Sequence, residues 1–302
     1  MEELKTNLIN KESVNQKFGR FLFVFPGNSN IDLDKVTSIH ILPLPPLLVK
    51  NLKEEMKEAL YQSIEKVDAV LLSGGIDSSL VAKIEHDKNK DVKFISCGLK
   101  GSEDLVYSNI LAEQVGADII NVFLDEDNVL SSVKSLKDLG FGGYDLILGV
   151  VEYLCLKKMK QENLQTALTG MGSDELMFGY HKYKYLEGDE LIDYRSDRVY
   201  YLNATDGFRI NKLAKTFNVR VDSPYLTDKF VSLAMSYNHD KNEKEVFDKN
   251  ILRSIADEIG IDRRIVYREK KAMQYGSGVV SILRSTSKTR GFKGINELVN
   301  AL

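Results

Sequence analysis

The sequence predicts an α/β fold: a doubly wound parallel sheet, followed by a mostly helical C-terminal half. Between Ala69 and Leu168, apolar runs typical of buried strands alternate with helical patterns. Two of these strands end in glycine-rich turns. Beyond about Tyr180 the alternation stops, and only helical patterns follow. Strands that alternate with helices form a parallel sheet covered on both faces.

The predicted sheet contains four strands, each bounded by turn residues. They cover residues 69–72, 92–99, 119–123 and 166–168. The helices predicted around them cover about 45–63, 80–84, 105–115, 127–139 and 146–160, and those of the C-terminal half about 184–202, 209–217, 227–237 and 247–259. Ligands of such sheets bind at the carboxyl ends of the strands. Both glycine-rich turns are therefore expected at the ligand-binding edge.

Residues 1–46 lie ahead of the predicted core and carry no visible chemistry. Two apolar runs in this segment, 21–25 and 38–42, are each stopped by proline, which favours two strands that could pair as a β-hairpin. We therefore divide the chain into an N-terminal extension at 1–46, an α/β core at 47–180 and a helical part at 181–302 that completes the domain.

The composition is that of a soluble globular protein. The 302 residues are 43% hydrophobic and 28% charged, with a net charge of −3, and no apolar run approaches a membrane span. Without a basic excess, nucleic acid is not favoured as a partner. The two cysteines, Cys97 and Cys155, lie inside apolar runs, so we expect no disulfide framework and a cytoplasmic location. The four histidines are scattered, without the spacing of a zinc site.

The turn after the first strand, Ser73–Ser79, has the composition of a phosphate-binding loop. It reads Ser-Gly-Gly-Ile-Asp-Ser-Ser, a string far more specific than a lone Gly-x-Gly, which argues against a plain strand–turn–helix connection. The loop lacks the Gly-Lys-Ser/Thr of a Walker loop. Its glycines let a ligand approach the backbone, and the helix N-terminus that follows attracts anions. Asp77 would repel a phosphate unless it holds Mg²⁺, which binds one or two carboxylates together with phosphate oxygens.

A second motif, Gly170–Glu175, follows the fourth strand and reads Gly-Met-Gly-Ser-Asp-Glu. Asp174 offers another carboxylate, and two carboxylates at neighbouring strand ends form a natural Mg²⁺ clamp on one pyrophosphate. The alternative is an ordinary helix start, capped by Ser173 or Asp174 with Glu175 in the first turn.

A third motif, Arg268–Gly278, is a basic cluster that runs into a Gly-Ser-Gly turn. Positive charge in such a position suits the stabilisation of a phosphoryl group. From the pattern alone, a solvated charged loop is the other interpretation.

Together these motifs resemble the synthetase half of the glutamine-dependent asparagine synthetases and their β-lactam-forming relatives, which contain the pyrophosphate (PP) loop of the N-type ATP pyrophosphatases. The likeness covers about residues 48–285. It rests on the strings at 71–82, 98–105 and 168–180, on Arg209, Asn211, Lys212 and residues 224–226, and on Arg268, Lys270, Gly276 and Gly278. The resemblance implies a fold of the adenine nucleotide alpha hydrolase-like type, with ATP as substrate and Mg²⁺ as cofactor.

The resemblance also implies roles for individual residues. Pyrophosphate would be bound by Ser73, Gly74, Gly75, Asp77, Ser78 and Ser79. Adenosine would be framed, largely through backbone groups, by Leu72, Cys97, Thr169 and Gly170. The catalytic residues would be Asp77 and Asp174, which hold Mg²⁺, and Lys270, which stabilises charge on the α-phosphate. In that mechanism a carboxylate, aspartate in first place, attacks the α-phosphorus, pyrophosphate leaves, and ammonia displaces AMP from the acyl-adenylate.

The chain departs from the family in lacking its nucleophilic N-terminal cysteine, and too few residues precede Ser73 for a glutaminase domain. We therefore expect its partners to be a small carboxylate and ammonia, supplied free or by a separate glutaminase subunit. A homodimer is left open, and no membrane or nucleic-acid partner is expected.

Two further departures concern the substrates. Met171 stands where the family has Glu, or Tyr in the β-lactam formers, and methionine can do no acid–base work. Ile147 lies about where asparagine synthetases carry an arginine beside the substrate. A third change, Arg220 with Asp222 in place of Glu with Arg, is interpreted as an ion pair with exchanged charges, and so as structural.

These departures leave two other functions open. One is a related PP-loop enzyme that adenylates a different substrate, as in β-lactam formation or the modification of a metabolite or tRNA. The other is a non-catalytic nucleotide-binding subunit, which Met171 favours and which the intact Asp77, Asp174 and Lys270 oppose.

Overall fold

The described part of the chain is built on a five-stranded, all-parallel sheet. A computed structural model describes residues 51–236 and 249–302, so the predicted extension at 1–46, with its hairpin at 21–42, lies outside the described residues. The strands are β1 (Ala69–Leu71), β2 (Lys93–Leu99), β3 (Ile119–Leu124), β4 (Thr166–Leu168) and β5 (Arg220–Asp222). Their order across the sheet is β3-β2-β1-β4-β5.

This strand order confirms the predicted doubly wound topology. The chain moves outward from β1 through β2 and β3, and then returns to the other side of β1 to add β4 and β5. Val70 is aligned with Phe94 of β2 on one side and with Leu168 of β4 on the other. Ligands of open α/β sheets bind outside the strand ends at such a reversal. Ser73 and Gly170 follow the two strands that flank it.

Strand β5 corrects the sequence prediction, which placed only helices beyond about Tyr180. Arg220–Asp222 pairs in parallel with β4, with Val221 opposite Ala167. The strand has three half-buried residues and no apolar run, so hydrophobic periodicity could not reveal it. The helix before it ends at Phe217, and the left-handed backbone of the following Asn218 (φ 54°) turns the chain toward the sheet.

The helices lie within a few residues of most predicted bounds. They are α1 (Leu52–Ser63), α2 (Ile76–Lys88), α3 (Glu103–Val115), α4 (Glu126–Asp138), α5 (Asp145–Gln161), α6 (Ser173–Leu176), α7 (Gly188–Leu202), α8 (Asp206–Phe217), α9 (Asp228–Ser236), α10 (Asn250–Glu258), α11 (Arg263–Val266), α12 (Met273–Gly276), α13 (Val279–Thr289) and α14 (Ile295–Ala301). Across residues 51–236 and 249–302, none of the helices combines the length and the apolar character needed to cross a bilayer.

Two predicted helices differ at their starts. Asn51 lies outside α1 and caps it, since its Oδ1 accepts a hydrogen bond from the Glu54 N–H (3.3 Å). The helix predicted at 184–202 is two elements, a 3₁₀ turn at His181–Tyr185 and α7, because Gly188, the first residue of α7, takes a left-handed conformation (φ 54°).

The chain divides into two compact units. The sheet unit contains residues 64–170, 203–222 and 252–302. The described residues of the other unit are 51–63, 171–202, 223–236 and 249–251. The boundary between the units falls inside the second glycine motif, after Gly170.

The described residues of the other unit are held by an aromatic cluster and a buried cation. Tyr183 meets Phe178 edge-on, with ring centroids 5.2 Å apart. Arg195 lies 4.5 Å over the Phe178 ring and donates to the carbonyls of Leu176 and Ala234. This side chain therefore connects α6, α7 and α9, which fixes the short helix α6 that carries Asp174.

Candidate active site

The loop after β1 is held closed by serine hydroxyls. Ser78 Oγ accepts a hydrogen bond from the Ser73 N–H (3.1 Å) and lies 3.0 Å from Ser73 Oγ. Ser78 Oγ also donates to the Gly75 carbonyl (3.3 Å), directly before the first residue of α2. These bonds fix the turn that leads from the strand to the helix N-terminus, which is the geometry of an anion site.

Gly74 is required at its position for two reasons. Its φ of +67° is left-handed, where a side chain is strained. A Cβ atom there would also lie 2.6 Å from both Tyr107 Cβ and Ser108 N of α3. The phosphate loop therefore packs directly against α3.

The second glycine turn contacts the first. A Cβ atom at Gly170 would lie 2.7 Å from the Ser78 nitrogen and 2.9 Å from Asp77 Cβ. No other residue would let the backbone after β4 come so close to the N-terminus of α2. The structure thus brings together two motifs that lie about ninety residues apart in the sequence.

The remaining loop residues occupy different environments. Asp77 lies in the first turn of α2 and is partly exposed. Ser79 is fully buried, and its N–H donates to the Gly75 carbonyl (3.0 Å). The predicted contact of Ser79 with pyrophosphate stays a prediction, and the burial of its hydroxyl does not favour it.

Arg268, from the third motif, reaches the phosphate loop. Its Nη1 donates to the Ser73 carbonyl (3.0 Å), and its Nη2 donates to Asp104 Oδ1 (2.7 Å). The guanidinium also lies 4.6 Å over the Tyr107 ring. Since Arg268 is buried, the interpretation of this motif as a solvated loop is wrong at this residue.

The Asp104 carboxylate that faces Arg268 has an unusual environment. Burial raises its pKa to about 6, and the hydrogen bond and charge of Arg268 only partly oppose this effect. A Cβ atom at Gly276 would lie 2.2 Å from Asp104 Oδ1, so this carboxylate is also enclosed by the C-terminal motif.

The rest of the third motif lies along the carboxyl end of β2. The Leu99 N–H donates to the Ser277 carbonyl (2.7 Å), and Gly278 has a left-handed φ of +86° with no room for a Cβ atom beside Leu99. Lys270 is exposed, two residues after Arg268. The predicted catalytic residue Lys270 thus lies two residues beyond Arg268, which contacts the loop.

The residues expected to frame adenosine lie around the ends of three strands. The Leu72 N–H donates to the Ile95 carbonyl (2.8 Å), and the Thr169 N–H donates to the Asp222 carbonyl (2.9 Å). Both N–H groups are therefore used by the sheet, and the Leu72 carbonyl accepts a hydrogen bond from Ser108 Oγ (3.0 Å), so the adenosine contacts expected of these two residues stay predictions.

Cys97 is buried in β2, and its thiol is hydrogen bonded to that of Cys155 on α5. This hydrogen bond, together with burial, raises the Cys97 pKa well above its ordinary value. Both cysteines are free, so the expectation of no disulfide holds for this pair. A neutral, buried thiol is unsuited to nucleophilic work.

In the other unit, Asp174 pairs with a lysine that sequence reasoning missed. Lys249 Nζ lies 2.5 Å from Asp174 Oδ1 and 3.2 Å from Ser173 Oγ, and its side chain is only 4% exposed. Lys249 has a left-handed φ of 62°, which is strained for a residue with a side chain. It comes from a run of Lys, Asn, Glu and Asp that is typical of a solvated surface, so no sequence pattern pointed to it.

The alternative in which Ser173 or Asp174 caps the helix is wrong. The residue in the cap position of α6 is Gly172, with φ 90° and no side-chain cap. Glu175 is buried and accepts a hydrogen bond from the Tyr180 hydroxyl. The Asp174 side chain is therefore committed to Lys249 and not to the helix.

The three departures from the family have different settings. Met171 is half-buried, and its carbonyl accepts a hydrogen bond from Ser223 Oγ (2.6 Å). Ile147 is buried in α5. Arg220 Nε lies 2.9 Å from Asp222 Oδ2, which confirms the predicted ion pair.

Arg209 is the centre of a separate charge network in the sheet unit. It is almost fully buried and pairs with Asp145 (2.7 Å), Glu152 (2.8 Å) and Asp206. Burial raises the pKa of Glu152, although Arg209 opposes this. The network joins the start of α8 to α5, which is a structural role.

The donor chemistry of the predicted metal ligands suits Mg²⁺, since carboxylate oxygens are the protein atoms that this ion prefers. Within the described ranges, no group of three or more His, Cys, Asp or Glu side chains is arranged to hold a metal ion. Mg²⁺ does not need such a cluster, because it is commonly bound through one or two carboxylates plus substrate phosphates.

Comparison with known proteins relates part of the chain to a known family. Residues 52–201 match the family described as asparagine synthase. A putative asparagine synthetase (glutamine-hydrolyzing) 1 of Methanocaldococcus jannaschii is 26% identical over 83% of this chain and 54% of its own length. Asparagine synthetases (glutamine-hydrolyzing) of Lotus japonicus and Zea mays are 27% and 26% identical, over 69% and 78% of this chain and 39% and 44% of their own lengths.

The chain thus spans about half or less of the length of these relatives. The matched segment contains both glycine turns, with the carboxylates Asp77 and Asp174. Residues 52–201 therefore form a domain of the asparagine synthase family.

Proposed function

We propose that this chain is an ATP-dependent amide ligase of the asparagine-synthetase type, which forms AMP and pyrophosphate. The observation that carries the proposal is the contact of Gly170 with Asp77 and Ser78. It sets two glycine turns side by side at the reversal of the sheet, within a family domain whose named relatives are asparagine synthetases. A cradle of this kind suits the β- and γ-phosphates of ATP, which leave as pyrophosphate.

In the proposed mechanism the Ser73–Ser78 loop binds the leaving pyrophosphate through backbone N–H groups and hydroxyls. A substrate carboxylate attacks the α-phosphorus and forms an acyl-adenylate. Lys270 stabilises the negative charge that develops on the α-phosphate. An amine then attacks the acyl carbon, an amide forms, and AMP leaves.

Asp77 and Asp174 are the residues proposed to hold Mg²⁺. When bound, the ion would neutralise phosphate charge. In this proposal Lys249 supports the second carboxylate, because the ion pair fixes the Asp174 side chain on α6.

The proposed substrates are aspartate and ammonia. The relatives are named as glutamine-hydrolyzing enzymes, and this chain covers about half of their length or less. We therefore propose that ammonia is supplied free or by a separate glutaminase subunit, in the cytoplasm.

The test is pyrophosphate release from Mg-ATP by the purified full chain, across a panel of carboxylates led by aspartate, with and without ammonium. Release with aspartate and ammonium, matched by equal amounts of AMP and asparagine, is the expected result. ADP and phosphate as the products would contradict the proposed reaction. In a matched control, Asp77→Asn should remove turnover while the far-ultraviolet circular dichroism is unchanged.

A second candidate is favoured by Met171 and Ile147, neither of which carries a proton-transferring or cationic group. This candidate is a related ligase that adenylates a different acid or uses a different amine, or modifies a metabolite or tRNA. Release of pyrophosphate with another member of the panel, and none with aspartate, would select it. A chain that binds ATP but is silent across the panel would instead fit a non-catalytic nucleotide-binding subunit.

A further inference from the structure

We propose that Arg268 is a positioning residue that sets the orientation of the Ser73–Gly74 peptide in the phosphate loop. This inference rests on the proposed function, because it concerns the loop that is proposed to bind pyrophosphate. All the contacts of Arg268 used below lie within the sheet unit.

The hydrogen bond between Arg268 and the Ser73 carbonyl fixes the direction of the Ser73–Gly74 peptide. Arg268 Nη1 donates to the Ser73 carbonyl at 3.0 Å, and the peptide that follows this carbonyl is trans. In a trans peptide the C=O and the next N–H point in opposite directions. Holding the Ser73 carbonyl toward Arg268 therefore turns the Gly74 N–H to the opposite side, where it can serve as a phosphate donor.

Within the loop, the Ser73–Gly74 peptide is restrained only by a long hydrogen bond, in which the Gly75 N–H donates to Ser73 Oγ at 3.4 Å. Gly74 has no side chain, and glycine peptides rotate more freely than any other. The hydroxyl of Ser78 bonds to the Ser73 N–H, on the peptide before the one in question. The Ser73–Gly74 peptide thus depends on its packing against α3 and on Arg268.

Arg268 is itself held in place by three neighbouring residues. Its other donor group reaches Asp104 at 2.7 Å, and its plane lies over the Tyr107 ring. Arg253 is buried and donates to the Arg268 carbonyl (3.3 Å). A planar fork that reaches a carboxylate and a carbonyl at once is a geometry that lysine cannot reproduce.

The test uses Arg268→Lys, which keeps a positive charge for Asp104 but loses the fork. Hydrogen–deuterium exchange of the full chain is measured without substrate, in peptides that cover residues 70–80 and, as a reference, 119–124. We expect exchange at least about tenfold faster in the loop peptide and unchanged exchange in the reference. Where turnover is measurable, kcat should fall at least about tenfold, since small misplacements of reacting groups have effects of this size.

Arg264→Lys is the matched control, because Arg264 lies four residues earlier and its side chain is exposed in a surface pair with Asp262. It should change neither readout. Equal loop exchange in Arg268→Lys and the wild type would overturn the inference, and so would a uniform increase across both peptides, which would indicate a general loss of stability. Because exchange needs no turnover, this result is independent of whether the proposed ligase reaction is found.

Discussion

The two glycine motifs are built by different physical means. In the Ser73–Ser79 loop, shape is set by hydroxyl hydrogen bonds and by Gly74, which has no room for a side chain against α3. In the 171–179 segment, the Asp174 carboxylate is held by charge, since Lys249 is buried against it. The first motif is therefore sensitive to added atoms, and the second is sensitive to the loss of a charge.

This comparison explains why the two motifs differ in how much the sequence reveals. A steric requirement leaves glycine in the sequence, where it is easy to see. A charge requirement is met by a lysine from another segment, and lysines are common on every surface.

The largest effect is expected for Gly74→Ala. At this position alanine must adopt a left-handed backbone, and its methyl group lies 2.6 Å from α3. The strain and the overpacking together should lower the free energy of unfolding by about 4 kcal/mol. Urea unfolding measures this change. Gly101→Ala is the matched control, because Gly101 has a similar φ of +80° but nothing within 4 Å, and it should cost about 1 kcal/mol. Equal losses in the two variants would contradict the steric account.

Asp174→Asn should destabilise the fold by about 3 kcal/mol, because it leaves the ammonium of Lys249 buried without its carboxylate. The double variant Asp174→Asn/Lys249→Met should recover most of this loss. A thermodynamic cycle from urea unfolding measures the coupling of the pair. Additive effects of the two single changes would show that the pair is not what holds this motif.

Lys270→Ala should lower kcat about a hundredfold and change ATP affinity much less, because the lysine is proposed to act on charge that develops during adenylation. Lys271→Ala is the control, since Lys271 is exposed and pairs with Glu103 at 2.5 Å. A loss confined to ATP affinity would make Lys270 a ground-state contact only.

The smallest effect is expected in the pH dependence of stability. The pKa of Asp104 is raised to about 6 in the fold, from 3.8, so the folded state holds a proton there that the unfolded chain has already released. The free energy of unfolding should therefore fall by about 1 kcal/mol between pH 5 and pH 7 through this group. Asp104→Asn should have a correspondingly smaller slope. Identical slopes would show that Asp104 titrates normally.

Much of the fold could be predicted from the sequence, because long periodic helices and apolar strands leave clear patterns. Strand β5 could not, since its three half-buried residues have no apolar run. It belongs to the sheet because it pairs with β4, which is a long-range contact that no local pattern encodes.

The candidate site shows the same limit. The place of the Ser73 and Gly170 turns at the carboxyl ends of parallel strands predicted that they would lie together, and the contact of Gly170 with Ser78 confirms it. Lys249 and Asp104 were not predicted as functional neighbours, because their importance comes from burial and from a partner distant in sequence. The proposed roles of Asp77, Asp174 and Lys270 stay predictions.

The most direct test of the central proposal is the exchange of labelled pyrophosphate into ATP, catalysed by the full chain with Mg²⁺ and a single carboxylate substrate in the absence of ammonium. Reversible adenylation predicts exchange that requires the carboxylate and is lost in Asp77→Asn. Turnover of ATP to AMP with that carboxylate, but without any exchange of pyrophosphate, would contradict an acyl-adenylate formed at the two glycine turns.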